Sequence, residues 1–307
     1  MQQKKLSKQK GLASFYGLTT LCYYLGMKFG RQILETLRDA RALGIRASLA
    51  FAYRSRSRSS YKVSVPKFGQ LRVRGGDSDT AVLRQIFVRR DYDLNVQPVS
   101  RHAMAFAYRA LLALGAKPII IDAGANIGAA SLWFGTLYPK AIVLAVEPEQ
   151  ANAALLRENI SSLTNVRAFE AAVGSEGGFV AVATNGASWS AHTTRQAQGV
   201  PLVTMSQLCE TVARGRLLLV KVDIEGFEQD LFANNTEWLD DCPLVVIEPH
   251  DWMDGSRCTS LAFRKALAER DFSMLLHGEN LIYINTRWLR AQEETLAPSI
   301  TVSEPTA

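Results

Sequence analysis

Ile119-Ile120-Ile121-Asp122-Ala123-Gly124-Ala125-Asn126-Ile127-Gly128 is the stretch on which the fold turns. Three consecutive isoleucines, with no polar alternation, read as a strand buried on both faces. The glycines then mark a tight turn at Gly124 and the entry of a helix at Gly128, with apolar residues continuing to Leu137. Outward from this unit the pattern repeats. Ala141–Val146 reads as a strand, and Gln150–Ile160 as the helix after it. Leu217–Val222 precedes a helix expected from near Ile224, and Leu244–Ile247 precedes one expected over Ser260–Arg270. Strands alternating with helices predict an α/β fold with a mostly parallel sheet covered on both faces. Phe179–Ala183 and Leu202–Met205 add short strands. Ser273–Leu276 and Leu281–Ile284 flank His277-Gly278-Glu279-Asn280 as a hairpin, which predicts one antiparallel strand at the end of the sheet.

In open α/β sheets ligands bind beyond the carboxyl ends of the strands, so those ends carry the functional reading. The first ends Asp122-Ala-Gly124-Ala-Asn126, which is not the G-x-G-x-x-G loop of a dinucleotide site. An acidic strand end facing a helix N-terminus suits a cationic ligand with a carboxylate tail, of which S-adenosylmethionine is one. Glu147, 23 residues after Gly124, can accept both hydroxyls of a ribose. Lys221 and Asp223 fall on one side of what reads as a central strand, where charge is costly unless paired or functional. Glu248 and His250 end the next strand, and His250 is a candidate general base. The spacing of Asp223, Glu248 and His250 matches no metal-ligand signature, and no metal is expected.

Composition excludes other classes. With 48% hydrophobic and 21% charged residues, the chain is neither disordered nor fibrous. Cys22, Cys209, Cys242 and Cys258 form no C-x-x-C pair, which fits a reducing, cytoplasmic setting. The net charge of +6 is uneven: residues 1–62 hold thirteen basic and two acidic residues, +11, leaving 22 basic and 27 acidic residues, −5, for the rest. The basic balance therefore does not argue for nucleic acid. It points instead to peripheral contact between residues 1–62 and an anionic membrane surface. Within that leader Gly11–Met27 is uncharged but only weakly apolar, residues 31–43 keep helical spacing, and Arg54–Ser60 reads as a basic linker.

The motifs resemble the FkbM-type S-adenosylmethionine-dependent methyltransferases. The residues that carry the resemblance are 120–128, Val146-Glu147-Pro148, Lys221-Val-Asp223-Ile-Glu225-Gly226-Phe-Glu228, Ala171–Gly174 and Val246–Glu248. Upstream, Arg74–Asp79 and Gln85–Tyr92 resemble the segment that family often carries before its cofactor domain. The resemblance implies a class I methyltransferase fold, Rossmann-like, with a seven-stranded sheet whose last strand is antiparallel. It implies S-adenosyl-L-methionine as cofactor and a hydroxyl of a sugar, glycan or polyketide-like small molecule as acceptor. It places Asp122, Gly124, Asn126 and Gly128, with Ala123 and Ala125 between them, at the methionine end of the cofactor, Glu147 at the ribose, and Ala171 and Ala172 near adenine. Asp223 is then the expected base, with His250 as the other candidate, while Lys221 and Glu225 orient or neutralise.

Two other readings stand beside it. An NAD(P)-dependent oxidoreductase shares the architecture but would want the missing glycine, and no Tyr-x-x-x-Lys pair occurs between Val63 and Thr286. A non-enzymatic scaffold is the other. The expected organisation is a mostly helical basic extension over 1–62, a substrate-side segment over 63–117, the cofactor domain over 118–290 and a loose tail over 291–307.

Overall fold

A computed structural model of the chain describes residues 33–54, 59–76, 78–184, 191–253 and 258–296. Gly11–Met27, residues 55–58 of the basic linker and residues 297–307 of the tail lie outside them. Residues 33–43 (α1) and Ile45–Arg54 (α2) are helical, separated at Gly44. A hairpin of β1 (Ser60–Val65) and β2 (Gly69–Arg74) follows, then α3 (Asp79–Leu83), which runs on as a π-helical turn over Arg84–Arg89, and α4 (Pro98–Ala113). Next come β3 (Lys117–Ala123), α5 (Ala129–Leu137), β4 (Ile142–Val146), α6 (Gln150–Asn159) and β5 (Val166–Phe169). A smaller sheet holds β6 (Ala172–Val173), β7 (Gly178–Thr184), β8 (Ala191–Gln196) and β9 (Val200–Val203), and α7 (Met205–Glu210) leads back. The chain then forms β10 (Gly215–Val222), α8 (Glu228–Leu231), β11 (Leu244–Ile247), α9 (Leu261–Ala268), β12 (Phe272–His277), β13 (Asn280–Asn285) and α10 (Thr286–Leu296).

Seven strands form the main sheet in the order β12-β13-β11-β10-β3-β4-β5, and β13 alone runs against the others. This is the α/β class I methyltransferase arrangement that the motifs imply. Chain order reverses between β3 and β10, the position at which open sheets leave a crevice. Ala123 pairs with Val146 on one side and Val222 on the other, and Val222 pairs with Ile247. Four strands thus finish level, and Glu147, Gly124, Asp223 and Glu248 emerge along one rim.

Strand alternation distributes β3 between two cores. Ile120 belongs to the cluster on one face, Ile119 and Ile121 to that on the other, all fully buried. Each such side chain contributes roughly 1.5–3 kcal/mol on burial, which is why an all-apolar run becomes the middle of the sheet.

Four expectations change. No helix starts at Ile224: Glu225 and Gly226 both take positive φ (53° and 90°), so the chain turns before α8 begins at Glu228. The strand expected at Leu202–Met205 ends at Val203, because Thr204 caps α7 by accepting from the Gln207 amide at 3.2 Å. Residues 291–296 are not loose tail: α10 continues to Leu296, with Asn285 Oδ1 accepting from the Trp288 amide at 2.9 Å and Trp288 and Leu289 packed on the core. Part of the basic extension is also built into the core. Leu43 and Phe51 are buried, and Asp39 pairs with Arg84 at 2.8 Å. No helix among the described residues is long and apolar enough to cross a membrane.

Candidate functional site: a cleft between two carboxylate ends

The turn after β3 is shaped by contact with β10. A Cβ on Gly124, at φ +78°, would stand 1.7 Å from the Asp223 carbonyl oxygen, so only glycine allows the two strand ends to approach. Asn126 follows in the left-handed region (φ 50°), its own Oδ1 accepting from the Ile127 amide at 2.8 Å. That conformation aims the Asn126 amide at Glu147 Oε2, 2.8 Å away, while the Glu149 amide donates to Oε1 at 3.0 Å. Glu147 is thereby held by main-chain donors from both sides of β4. Burial pushes its carboxyl up to about 7, although those amide donors and Asn152 work in the opposite direction.

Beside it opens a cleft of about 560 Å³ including its mouth. One wall is Gly124, Asn126 and Glu147; the second is Ala171, Ala172 and Val173; the third is Asp223–Glu225 with Phe227. Five of the nine residues expected to bind cofactor line it: Gly124, Asn126, Glu147, Ala171 and Ala172. Asp122 and Gly128 do not face the cleft. Asp122 is fully buried, accepting from Ser131 Oγ at 2.6 Å and pairing with Lys221 Nζ at 2.9 Å. Gly128 is a packing glycine: a Cβ there would lie 2.6 Å from Leu156 Cδ1 of α6. Ala123 and Ala125 are likewise buried in the turn that presents Gly124 and Asn126.

At the far end of the cleft the side chains hold one another. Lys221 Nζ donates to the Gly124 carbonyl at 2.8 Å and pairs with both Asp122 and Asp223, the latter at 3.4 Å. Burial opposes its charge, but Asp122 and Asp223 prevail and hold the ammonium well above its ordinary value. Tyr92 Oη donates to Asp223 Oδ2 at 3.2 Å, and Gln85 Nε2 donates to Glu248 Oε2 at 3.0 Å. Burial, then the nearby Asp223 charge, raises the Tyr92 phenol further. His250 is buried, its Nδ1 lying 2.8 Å from Glu228 Oε1 and its Nε2 facing Asp223 and Glu225. Burial pulls its pKa down, but the Glu228 hydrogen bond and the Asp223 charge push it up to about 9. Glu225 and Glu248 rise to about 8 and about 7, through burial and then repulsion from Asp223.

All four residues expected to be catalytic (Lys221, Asp223, Glu225 and His250) therefore share one cluster. Gln85 and Tyr92 belong to it without having been singled out. They lie seven residues apart in the Gln85–Tyr92 segment, but the π-helical turn ends at Arg89 and Arg90 takes a left-handed conformation, so no helical periodicity in the sequence pointed to their meeting. Glu228, which fixes His250, stood in the quoted Lys221–Glu228 motif without a role.

The model of the methyltransferase FkbM domain matches residues 122–274, from the buried Asp122 to the strand β12. The chain carries an FkbM methyltransferase domain. A methyltransferase of Sordaria araneosa, sdnD, is 38% identical over 68 residues, which is 21% of this chain and 26% of that protein. The match thus spans about a quarter of that relative. Cofactor-bound Rv0187 from MTB is similar in structure over 82% of this chain and 95% of its own, at 11% identity and a TM-score of 0.39. A methyltransferase from Geobacter sulfurreducens covers 66% and 88%, at 14% identity and a TM-score of 0.34.

The cofactor that goes with the FkbM domain is S-adenosyl-L-methionine, and the residues present fit it. Gly124 adds no side chain to its wall of the cleft, and the small side chains Ala171 and Ala172 open the adjoining wall. The backbone-held Glu147 carboxylate stands between them with lone pairs left for hydroxyls.

Proposed function

We propose that the protein is an S-adenosylmethionine-dependent methyltransferase that methylates a hydroxyl oxygen of a sugar, glycan or polyketide-like small molecule. The observation that carries this reading is the position of Asp223: a carboxylate in the cleft wall, directly across from Gly124, at the end of the strand beside the switch point. In this reading Glu147 holds the ribose, Gly124 and Asn126 hold the methionine end, and Ala171 and Ala172 flank adenine.

When bound, the cofactor supplies an electrophilic methyl group on a sulfonium. The chain's task is alignment, exclusion of water and removal of the acceptor's proton. Asp223 is the base on geometric grounds, since it faces the cleft whereas His250 is 1% exposed and engaged at Nδ1 by Glu228. Tyr92 and Lys221 hold Asp223 Oδ2, which fixes the carboxylate plane towards the acceptor. Glu248, with Gln85, lines the approach from the 63–117 segment.

Transfer of labelled methyl to a panel of hydroxyl acceptors, with calorimetry of cofactor binding, tests the reading. Asp223→Asn is expected to keep cofactor affinity and to lose about 10²- to 10⁴-fold in turnover. Unchanged turnover overturns the role of Asp223. Saturable binding of NAD(P) with none of S-adenosylmethionine overturns the function in favour of an oxidoreductase.

For residues 1–62 the reading includes contact with an anionic membrane surface. Its support is an apolar stripe on α2, where Ile45, Leu49 and Tyr53 are 69%, 60% and 84% exposed at helical spacing, together with the basic charge of the segment. Cosedimentation with anionic vesicles that is the same with and without residues 1–62 overturns it.

A further inference from the structure

Three atoms of metal-ligand type converge at the acceptor end of the cleft. One side-chain atom each from Asp223, Glu225 and His250 lies within 4.8 Å of the others. His250 is the informative member. Its side chain is 2% exposed, and its Nδ1 is taken by Glu228. Its Nε2 makes no hydrogen bond among the described residues and stands 3.6 Å from both Asp223 Oδ1 and Glu225 Oε2. Glu225 Oε2 is itself buried with no hydrogen-bond partner among the described residues. A buried carboxylate oxygen and an imidazole nitrogen from different loops therefore face a common point at ion-pair distance, with no hydrogen bond between them. A buried carboxylate oxygen left in that state is costly and calls for a partner, an ordered water or an ion.

We propose that Asp223, Glu225 and His250 bind one divalent cation of the Mn²⁺ or Zn²⁺ type. His250 Nε2 and either carboxylate oxygen, each about 2.1 Å from a shared ion and 3.6 Å from one another, subtend about 120° at it, an ordinary angle for such a centre. The donor set, one imidazole with two carboxylates, suits these cations better than Mg²⁺ or Ca²⁺, which favour oxygen throughout. Glu228 supplies the support that a ligating histidine needs, a carboxylate on the ring nitrogen turned away from the metal.

The site stands on this geometry; its use rests on the O-methyltransferase reading. A cation here holds the acceptor oxygen against the cleft and lowers its proton affinity. Asp223 Oδ2, on Tyr92 and Lys221, stays free of the cation to receive the proton.

Mn²⁺ titrated into the chelator-stripped full chain, followed by electron paramagnetic resonance, tests the site. The expected result is one site per chain, weakened tenfold or more by Asp223→Asn and by Glu225→Gln. Pulsed resonance of the wild-type complex is expected to show coupling to a histidine nitrogen, a readout that needs no variant to fold. Absence of saturable binding at one equivalent, absence of that coupling, or affinity unchanged by both substitutions overturns the proposal. Equal competition by Mg²⁺ overturns the histidine's place in it. Cofactor calorimetry on the same samples separates the two readings: cofactor binding without Mn²⁺ binding removes the cation alone, and no cofactor binding removes the functional reading.

Discussion

Glu147 and Asp223 stand at the ends of strands on opposite sides of β3, yet they are held by different means. Glu147 receives main-chain amides from Asn126 and Glu149, which the turn after β3 and the start of α6 put in place. Asp223 is held by side chains reaching in from Tyr92, Lys221 and His250. A carboxylate on main-chain donors depends on backbone shape and tolerates change in its neighbours' side chains. One on side-chain donors depends on residues remote in sequence, and its setting can be retuned one substitution at a time. The first arrangement suits a constant ligand, the second a variable acceptor.

The largest effect should come where the two ends touch. Gly124→Ala puts a methyl group against the Asp223 carbonyl in a left-handed turn, so both ends must move. Cofactor binding should be lost by more than 100-fold, with a stability loss of about 3 kcal/mol or more in denaturant unfolding. Retained binding would show that the two ends are not coupled through this contact.

Glu147 gives an effect of intermediate size, with a pH signature. Its folded value of about 7 lies above the ordinary 4.5, so the folded state holds a proton that the unfolded chain has released. That stabilisation, on the order of 3 kcal/mol, is complete below pH about 4.5 and is lost as pH rises to about 7. Cofactor affinity should move the opposite way, improving as the carboxylate forms. Glu147→Gln should flatten both slopes and weaken cofactor binding about tenfold, read by thermal unfolding and calorimetry from pH 5 to 8. Slopes that persist would assign the proton elsewhere.

The smallest effect isolates the side-chain end. Tyr92→Phe removes the hydroxyl on Asp223 Oδ2 and leaves the ring beside Phe134. Turnover should fall about tenfold with cofactor affinity unchanged. Equal losses in both would mean that Tyr92 supports the whole cleft rather than Asp223.

How far these parts were legible follows from the range of the forces behind them. The Ile119–Ile121 run, the glycine turn and the four strand ends are local in sequence, and local pattern sufficed to place them in one sheet and along one rim. The fate of Asp122 was not local. It reads as a strand-end ligand group, but Ser131 and Lys221 bury it, and Lys221 lies 99 residues away. Gly128 reads the same from the sequence whether it faces a ligand or Leu156, and only the packing of α6 decides. The turn at Glu225 and Gly226 escaped because a short apolar-and-acidic run has helical spacing until the backbone reverses handedness.

By itself the amino-acid sequence determined the alternation of elements, the parallel sheet with its closing antiparallel strand, and the rim on which Glu147, Asp223, Glu248 and His250 appear. These follow from hydrophobic period and turn chemistry, which act over a few residues. Only the tertiary structure decided which of those groups face open space and which are sealed. It brought Gln85 and Tyr92 from the segment before the sheet against Glu248 and Asp223, 163 and 131 residues away. It also turned His250 towards Asp223 and Glu225 by holding its other nitrogen on Glu228. Burial, and the direction in which a buried group points, are set by whatever packs against it, and that is the part a linear pattern does not carry.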